Sequence, residues 1–340
     1  MSAEDATGAR VLSGIQPTGE LHMGNYFGAV ENWIRLTDRY ECFYAIVDYH
    51  AITARYDPAD FGAAVEGMAV SLLAAGLDPE RCRIFLQSEV PEHTELGWIL
   101  TSLAPLGNLQ RMTQFKDKSG EEGDAINAGL LMYPVQQAAD ILLYKADRVP
   151  VGEDQVQHLE LSRVLARRFN NAFGEVFPEP QPLLTEAKRI FGLDGQAKMS
   201  KSKGNHIGIL DDPETIRKKM ATAFTDPQRL RRTDPGRPWV CNVFSWHQLL
   251  SDEATIERVD RECRSAELGC YDDKMMMADI LIERFRPMRE RAAELRGRPE
   301  RIREVLTAGR DAARAVARET MSEVREAMGL WQTKHSPATA

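Results

Sequence analysis

The sequence lacks any run of about 18 consecutive apolar residues, which excludes a conventional membrane-spanning helix. Its start, Met1-Ser2-Ala3-Glu4-Asp5, has neither the basic nor the apolar region of a secretory leader, so the expected location is the cytoplasm. Cysteine is sparse: five in 340 residues, an odd number without a disulfide-framework spacing. In a reducing compartment, burial or metal binding is the better reading of those thiols. No histidine and carboxylate set shows zinc spacing. Neither a Walker-type loop nor a Gly-rich dinucleotide fingerprint follows the first strand, so any phosphate must be held by other means. A net charge of -8 argues against a wholly basic nucleic-acid-binding surface. The acidic excess lies in the first 200 residues, however, and the remainder is slightly basic, so only the second part suits a polyanion.

What is present is ordered. At 43% hydrophobic and 28% charged residues, the chain is long enough for two units with sizeable cores. Up to about residue 200, short β-branched or aromatic runs alternate with longer amphipathic ones, the pattern of a parallel sheet flanked by helices. Strands are predicted at Arg10–Ser13, Cys42–Val47, Arg83–Gln87 and Arg148–Val151, with helices near Met23–Arg39, Asp57–Ala75 and Gln155–Phe169. The predicted fold class is α/β, a Rossmann-type parallel-sheet catalytic domain over 1–200 followed by an all-α domain over 201–335. Long helices are predicted at Asp272–Arg296, with a kink at Pro287, and at Glu300–Met328, and the polar stretch 225–238 reads as a loop. Ligands of such sheets sit outside the carboxyl ends of the strands, which places Gly14–Gly19, Asp48–His50 and Gly152–Gln155 on one rim.

Two segments carry phosphate chemistry. After the first strand comes Gly14-Ile15-Gln16-Pro17-Thr18-Gly19, and then His22-Met23-Gly24-Asn25 at a helix start, where free amides favour negative charge. His22 and Asn25 supply further donors, and Gly24 permits close approach to the backbone. The second segment, Lys198-Met199-Ser200-Lys201-Ser202, offers two mobile cations around small hydroxyls, suited to a leaving pyrophosphate. Together they point to activation of a carboxylic acid by ATP. A third set, Tyr133, Gln137 and Asp140, falls at i, i+4 and i+7 on one helix face, where Asp140 can accept from a ring N–H. A buried acceptor of this kind is expected to reject a phenyl side chain by leaving the carboxylate unpaired.

These paired segments resemble the two nucleotide signatures of the class I aminoacyl-tRNA synthetases. Across nearly the whole chain, Ser13–Gly19, Val47–Thr53, Met112–Lys116, Ala138–Asp140 and Val149–Gln155 are similar to the bacterial-type tryptophanyl family. The resemblance implies that Gln16, Pro17, Thr18, His22, Gly24, Asn25, Gly152, Glu153, Asp154, Ile190, Lys198, Met199, Ser200, Lys201 and Ser202 line an ATP site. Lys198, Lys201, Lys116 and Asn25 would serve catalysis. It further implies a tryptophan pocket with Asp140 as acceptor, Leu12, Val149 and Val151 as apolar walls, and Tyr133, Gln137 and Gln155 about the amino group. His50 would lie close by. Mg2+ with the triphosphate, tRNA(Trp) as partner and a homodimer built through an insertion at about 89–146 follow from the same resemblance. The Arg-rich segments 229–232 and 301–310 are candidate RNA contacts.

Some members of the family hold an iron-sulfur cluster with four cysteines. Here the corresponding positions are Cys241, Cys263, Cys270 and Asp273, so the fourth thiolate is missing and buried structural cysteines are favoured over a cluster. The tyrosyl enzymes share the Tyr-Gln-Asp spacing, and a non-charging RNA-binding or redox-regulatory paralogue would keep the fold. Both stand as alternatives at this level.

Overall fold

The structure, a computed structural model, describes residues 8–112, 127–152, 155–184, 190–201 and 203–331. Five strands form one parallel sheet: β1 (Arg10–Ile15), β2 (Glu41–Ile46), β3 (Cys82–Leu86), β4 (Arg148–Val151) and β5 (Gln181–Leu184). They lie in the order β3-β2-β1-β4-β5, so the chain builds outward from β1 in one direction and then in the other. The change of direction opens a crevice at the carboxyl ends of β1 and β4. Four strands fall within a residue or two of their predicted spans. β5 does not announce itself, because its run Gln181-Pro182-Leu183-Leu184 contains a proline, which a ladder tolerates only at an edge.

Helices enter and leave where their caps dictate. After β1, His22 caps α1 (Met23–Asn25), which passes through a π turn at Tyr26–Val30 into α2 (Glu31–Leu36). One continuous helix was the expectation here. α3 (Pro58–Ala75) starts with Asp57 accepting from the Ala59 N–H and Pro58 in the first turn, and stops at Gly76, whose φ of 114° suits glycine. The first part is completed by α4 (Glu92–Leu103), α5 (Ala128–Leu143) and α6 (Val156–Phe173). Beyond residue 205 the described chain is helical and without strands: α7 (Pro213–Ala221), α8 (Asn242–Leu250), α9 (Glu253–Arg264), α10 (Cys270–Arg296) and α11 (Pro299–Ala327).

The apolar core has two faces, one on each side of the sheet. The first joins Val11, Tyr44 and Ile84 to the α3 residues Met68 and Leu72 and continues into Met277, Leu281 and Phe285 of α10. The second joins Leu12, Phe43 and Phe85 to α4, α5 and α6, and includes Ala313, Ala317 and Met321 of α11. Helices distant in sequence thus complete the burial of both sheet faces. At Gly309 of α11 a Cβ would stand 1.9 Å from the Ile84 carbonyl oxygen, so helix and strand touch backbone to backbone. Among the described residues, no helix is long and apolar enough to cross a membrane.

Candidate active site

The turn after β1 and the lysine loop meet. Gly19 takes φ 92°, which aims Thr18 and Gly19 at the loop, and Lys201 Nζ donates to the Thr18 carbonyl at 3.0 Å. A Cβ on Gly24 would sit 3.0 Å from the His22 ring and 3.2 Å from Met199 Cβ. Gly24 was expected to admit a nucleotide; in the structure its open side is also where Met199 packs. His22 lies 7% exposed, and its Nδ1 accepts from the Asn25 N–H at 3.2 Å. Burial, with Lys201, His206 and Lys198 adding to it, pushes its imidazole down to about 4. The ring is therefore neutral at pH 7 with its proton on Nε2, free to act as a donor.

Both sides of the site are braced. Met23 N–H donates to Ile207 O at 2.8 Å and Ile209 N–H to Leu21 O at 3.0 Å, tying the helix start to the segment just after the lysine loop. In the loop, Phe191 and Lys198 form an antiparallel bridge, and Met199 N–H donates to Ile190 O at 3.1 Å. Asn205, buried at 4% exposure, accepts from Ser200 N–H at 2.8 Å and donates to Asp194 Oδ2 at 2.8 Å. Sequence reading did not single out Asn205; an amide three residues past the signature is the signal that was there. Burial lowers Lys201 to about 8, while Glu20 and Asp211 pull it the other way. Lys198 is exposed. Gln16 and Thr18 are exposed on the rim, Pro17 and Ile190 are buried, and Asn25 and Gly152 are half-buried. Lys116, Glu153, Asp154 and Ser202 lie outside the described residues.

A second centre lies deeper, around Asp140 on α5. Its carboxylate is 3% exposed and is surrounded by donors. Gln87 Nε2 lies 2.8 Å from both oxygens, His93 Nδ1 2.7 Å from Oδ1, Gln136 Nε2 3.2 Å from Oδ1 and His50 Nε2 2.7 Å from Oδ2. Burial alone would raise its pKa; His50 and then His93 outweigh it and hold the carboxyl well below the usual carboxylate range. This corrects the expected physics of the pocket: the carboxylate is not left unpaired when no ligand donor is present. Leu12, Val149, Val151, Ala138 and Ala139 share the surrounding apolar cluster. Tyr133 Oη is 3.0 Å from His158 Nε2, and His158 Nδ1 is 3.0 Å from Gln155 Oε1, so Tyr133 and Gln155 are linked through a histidine that sequence reading left as a packing residue. Gln137 is half-buried, and its side chain makes no hydrogen bond among the described residues. Gln87 and His93, remote in sequence from Asp140, were invisible to spacing arguments, whereas Gln136 and Tyr144 stand at i−4 and i+4 along its own helix and cap.

The cysteines of the helical part do converge. Cys241, Cys263, Cys270 and Asp273 line one small cavity, together with Asp226, Arg229 and Leu268. Yet Arg229 Nη1 lies 3.6 Å from Cys270 Sγ and 4.0 Å from Cys263 Sγ, and Asp273 Oδ1 is engaged by His247 Nε2 at 3.1 Å. Burial pushes the Cys241 thiol up to about 12 and also raises Cys263. With three thiols only, a guanidinium between two of them and the Asp273 carboxylate taken up by His247, the residues present do not fit a cluster held by four thiolates. Arg229, a candidate RNA contact by sequence, is thereby turned inward, while Arg231 and Arg232 are exposed.

Residues 4–286 match the family model described as tRNA synthetases class I (W and Y). The tryptophan--tRNA ligase of Deinococcus radiodurans is 52% identical, with 95% of this chain and 99% of the relative covered. Tryptophan--tRNA ligase 2 of Streptomyces avermitilis is 45% identical, with 96% and 98% covered. Among solved structures, tryptophanyl-tRNA synthetase from Campylobacter jejuni complexed with ADP and tryptophan superposes with a TM-score of 0.86. It has 36% identity and covers 94% of this chain and 100% of its own. A tyrosyl-tRNA synthetase from Archaeoglobus fulgidus, at 22% identity and a TM-score of 0.65, shares the fold. These whole-length likenesses, in a chain whose turn after β1 meets its lysine loop beside a parallel sheet, show that it belongs to the tryptophan--tRNA ligase family of class I aminoacyl-tRNA synthetases.

Proposed function

We infer that the protein activates L-tryptophan with ATP and transfers it to the terminal ribose of tRNA(Trp). The observation that carries this reading is the junction of the two loops, Lys201 on Thr18 and Met199 against Gly24, in a chain that also buries the acceptor Asp140. The amino-acid carboxylate is ionised at neutral pH and attacks the α-phosphorus without a general base, so catalysis rests on alignment and charge neutralisation. Lys198, Lys201 and Lys116 would follow the departing pyrophosphate, and His22 Nε2–H and Asn25 would donate to phosphate oxygens. Gln16, Pro17, Thr18, Gly152, Glu153, Asp154, Ile190, Ser200 and Ser202 complete the proposed ATP site. Among the described residues no group of histidines, cysteines and carboxylates could hold a metal on its own. Mg2+ would come with the triphosphate, held by substrate phosphates and water, and would neutralise its charge.

Asp140 would accept the indole N–H, with Leu12, Val149 and Val151 as walls and Tyr133, Gln137, Gln155 and His50 nearby. The exposed Trp98 and Leu106, both inside the 89–146 insertion, support a homodimer through that region. The helical part from 201 to 335 would read the anticodon, and the location would be the cytoplasm. Pyrophosphate exchange tests the first step: exchange should require tryptophan and not respond to tyrosine, and tyrosine-dependent exchange would overturn the assignment. Lys198→Ala and Lys201→Ala should each lower the activation rate far more than they weaken ATP binding, since these cations act on charge that develops in the transition state. A tRNA charging assay separates the ligase from a non-charging paralogue.

A further inference from the structure

The donors around Asp140 are not equivalent. A carboxylate offers about four lone-pair sites, and five donor contacts already surround this one, so an incoming indole N–H must displace a partner rather than fill a gap. Gln87 and His93 are each 0% exposed and cannot swing away without opening the core. Gln136, half-buried and at the longest distance, stands on the Oδ1 side with His93 and is tied there, since its Nε2 also donates to the His93 carbonyl at 3.1 Å. His50, 8% exposed, shares the Oδ2 side with Gln87 alone.

His93 is further clamped from behind. Its Nε2 lies 2.8 Å from Tyr144 Oη, and Tyr144 is fully buried and stacked on Phe43 with ring centroids 4.8 Å apart. Burial, reinforced by the charges of Asp140 and Glu92, raises the phenol well above its ordinary pKa, so it keeps its proton. Hydrogen-bond accounting then assigns the ring: Tyr144 O–H donates to Nε2, and Nδ1–H donates to Asp140 Oδ1 at 2.7 Å. One buried chain runs from Tyr144 through His93 to the carboxylate.

We propose that His93, fixed by Tyr144, is a positioning residue of the amino-acid site. With Gln87 it forms a permanent inner cradle for Asp140, and His50 is the outer partner that the substrate's ring N–H replaces. This rests on Asp140 being the indole acceptor. Selection then works by exchange of donors: an amino acid without a ring donor leaves the carboxylate in its resting arrangement with His50, and gains nothing from the site.

The test is steady-state pyrophosphate exchange on the full-length protein, with thermal unfolding recorded for every variant. His93→Ala should raise the KM for tryptophan about 10- to 100-fold, the scale of one lost hydrogen bond to a charged group. Saturating tryptophan should restore kcat, and the KM for ATP should not move. His93→Asn, whose amide N–H can stand in for Nδ1–H, should recover most of the tryptophan affinity. Tyr144→Phe, which keeps the ring and removes the clamp, should raise the same KM by a smaller factor and serves if His93→Ala does not fold. His50→Gln should weaken discrimination against phenylalanine more than His93→Asn does. A folded His93→Ala or Tyr144→Phe with unchanged tryptophan KM would overturn the proposal, as would a loss in kcat and ATP affinity that Asn does not rescue. Asp140→Asn reports separately on the underlying reading: if it leaves the tryptophan KM unchanged, Asp140 is not the acceptor. If Asp140→Asn is impaired and His93→Ala adds nothing in that background, the two act on one interaction.

Discussion

Lys201 shows how a single side chain reports on the site around it. Burial in the turn after β1 holds its ammonium at about 8, so near that pH a substantial fraction is neutral before nucleotide arrives. A triphosphate brings negative charge within reach and favours the charged form. ATP binding at pH 8 should therefore take up protons, which calorimetry in buffers of different ionisation enthalpy will show. Lys201→Arg should abolish the uptake, and uptake that survives in that variant would assign the proton elsewhere. The lysines themselves were legible in the sequence because they stand in a short, distinctive string. The neutral state of His22 was not, since it depends on burial and on Lys201, His206 and Lys198 arriving from elsewhere in the chain.

At the scale of elements, one contact shapes the lysine loop and another holds the last helix on the sheet. The lysine loop hangs on Asn205, whose side chain joins Ser200 N–H to Asp194 across the loop's neck. Asn205→Ala should lower the rate of activation by about tenfold or more while leaving the melting temperature nearly unchanged, because small misplacements of catalytic groups are costly. Stopped-flow measurement of adenylate formation checks this, and a wild-type rate would show that the loop holds its shape without the bridge. The second contact is α11 on β3. Gly309 has no room for a Cβ against the Ile84 carbonyl, so Gly309→Ala should destabilise the fold by about 1–3 kcal/mol, the usual cost of overpacking. Denaturant unfolding measures it. Helix α11 was predicted from its periodicity nearly to its ends, but periodicity names an apolar face without naming what it covers. Likewise β2 and β3 were readable as buried β-branched and aromatic runs, while the proline-bearing β5 was not.

Across the whole molecule, the chain's last long helix returns to its beginning. Arg314 Nε reaches Glu92 Oε1 at 3.0 Å and Arg325 Nε reaches Glu95 Oε1 at 2.8 Å, in addition to the apolar contacts of Ala313, Ala317 and Met321 with the sheet's second face. Removal of residues 299–340 should therefore abolish cooperative unfolding of the sheet itself, and with it tryptophan-dependent exchange. A truncated chain with native melting and activity would make α11 an accessory. The family and the reaction were legible in the sequence alone, as were the two loops proposed to bind nucleotide, because each loop is a contiguous string whose chemistry can be read without the fold. Tertiary structure alone decided which donors surround Asp140, why Arg229 faces the sulfurs of Cys263 and Cys270, and which helices close the sheet. The reason is physical: these depend on pairs of residues tens to hundreds of positions apart, and no local pattern of charge or hydrophobicity records which buried group will meet which.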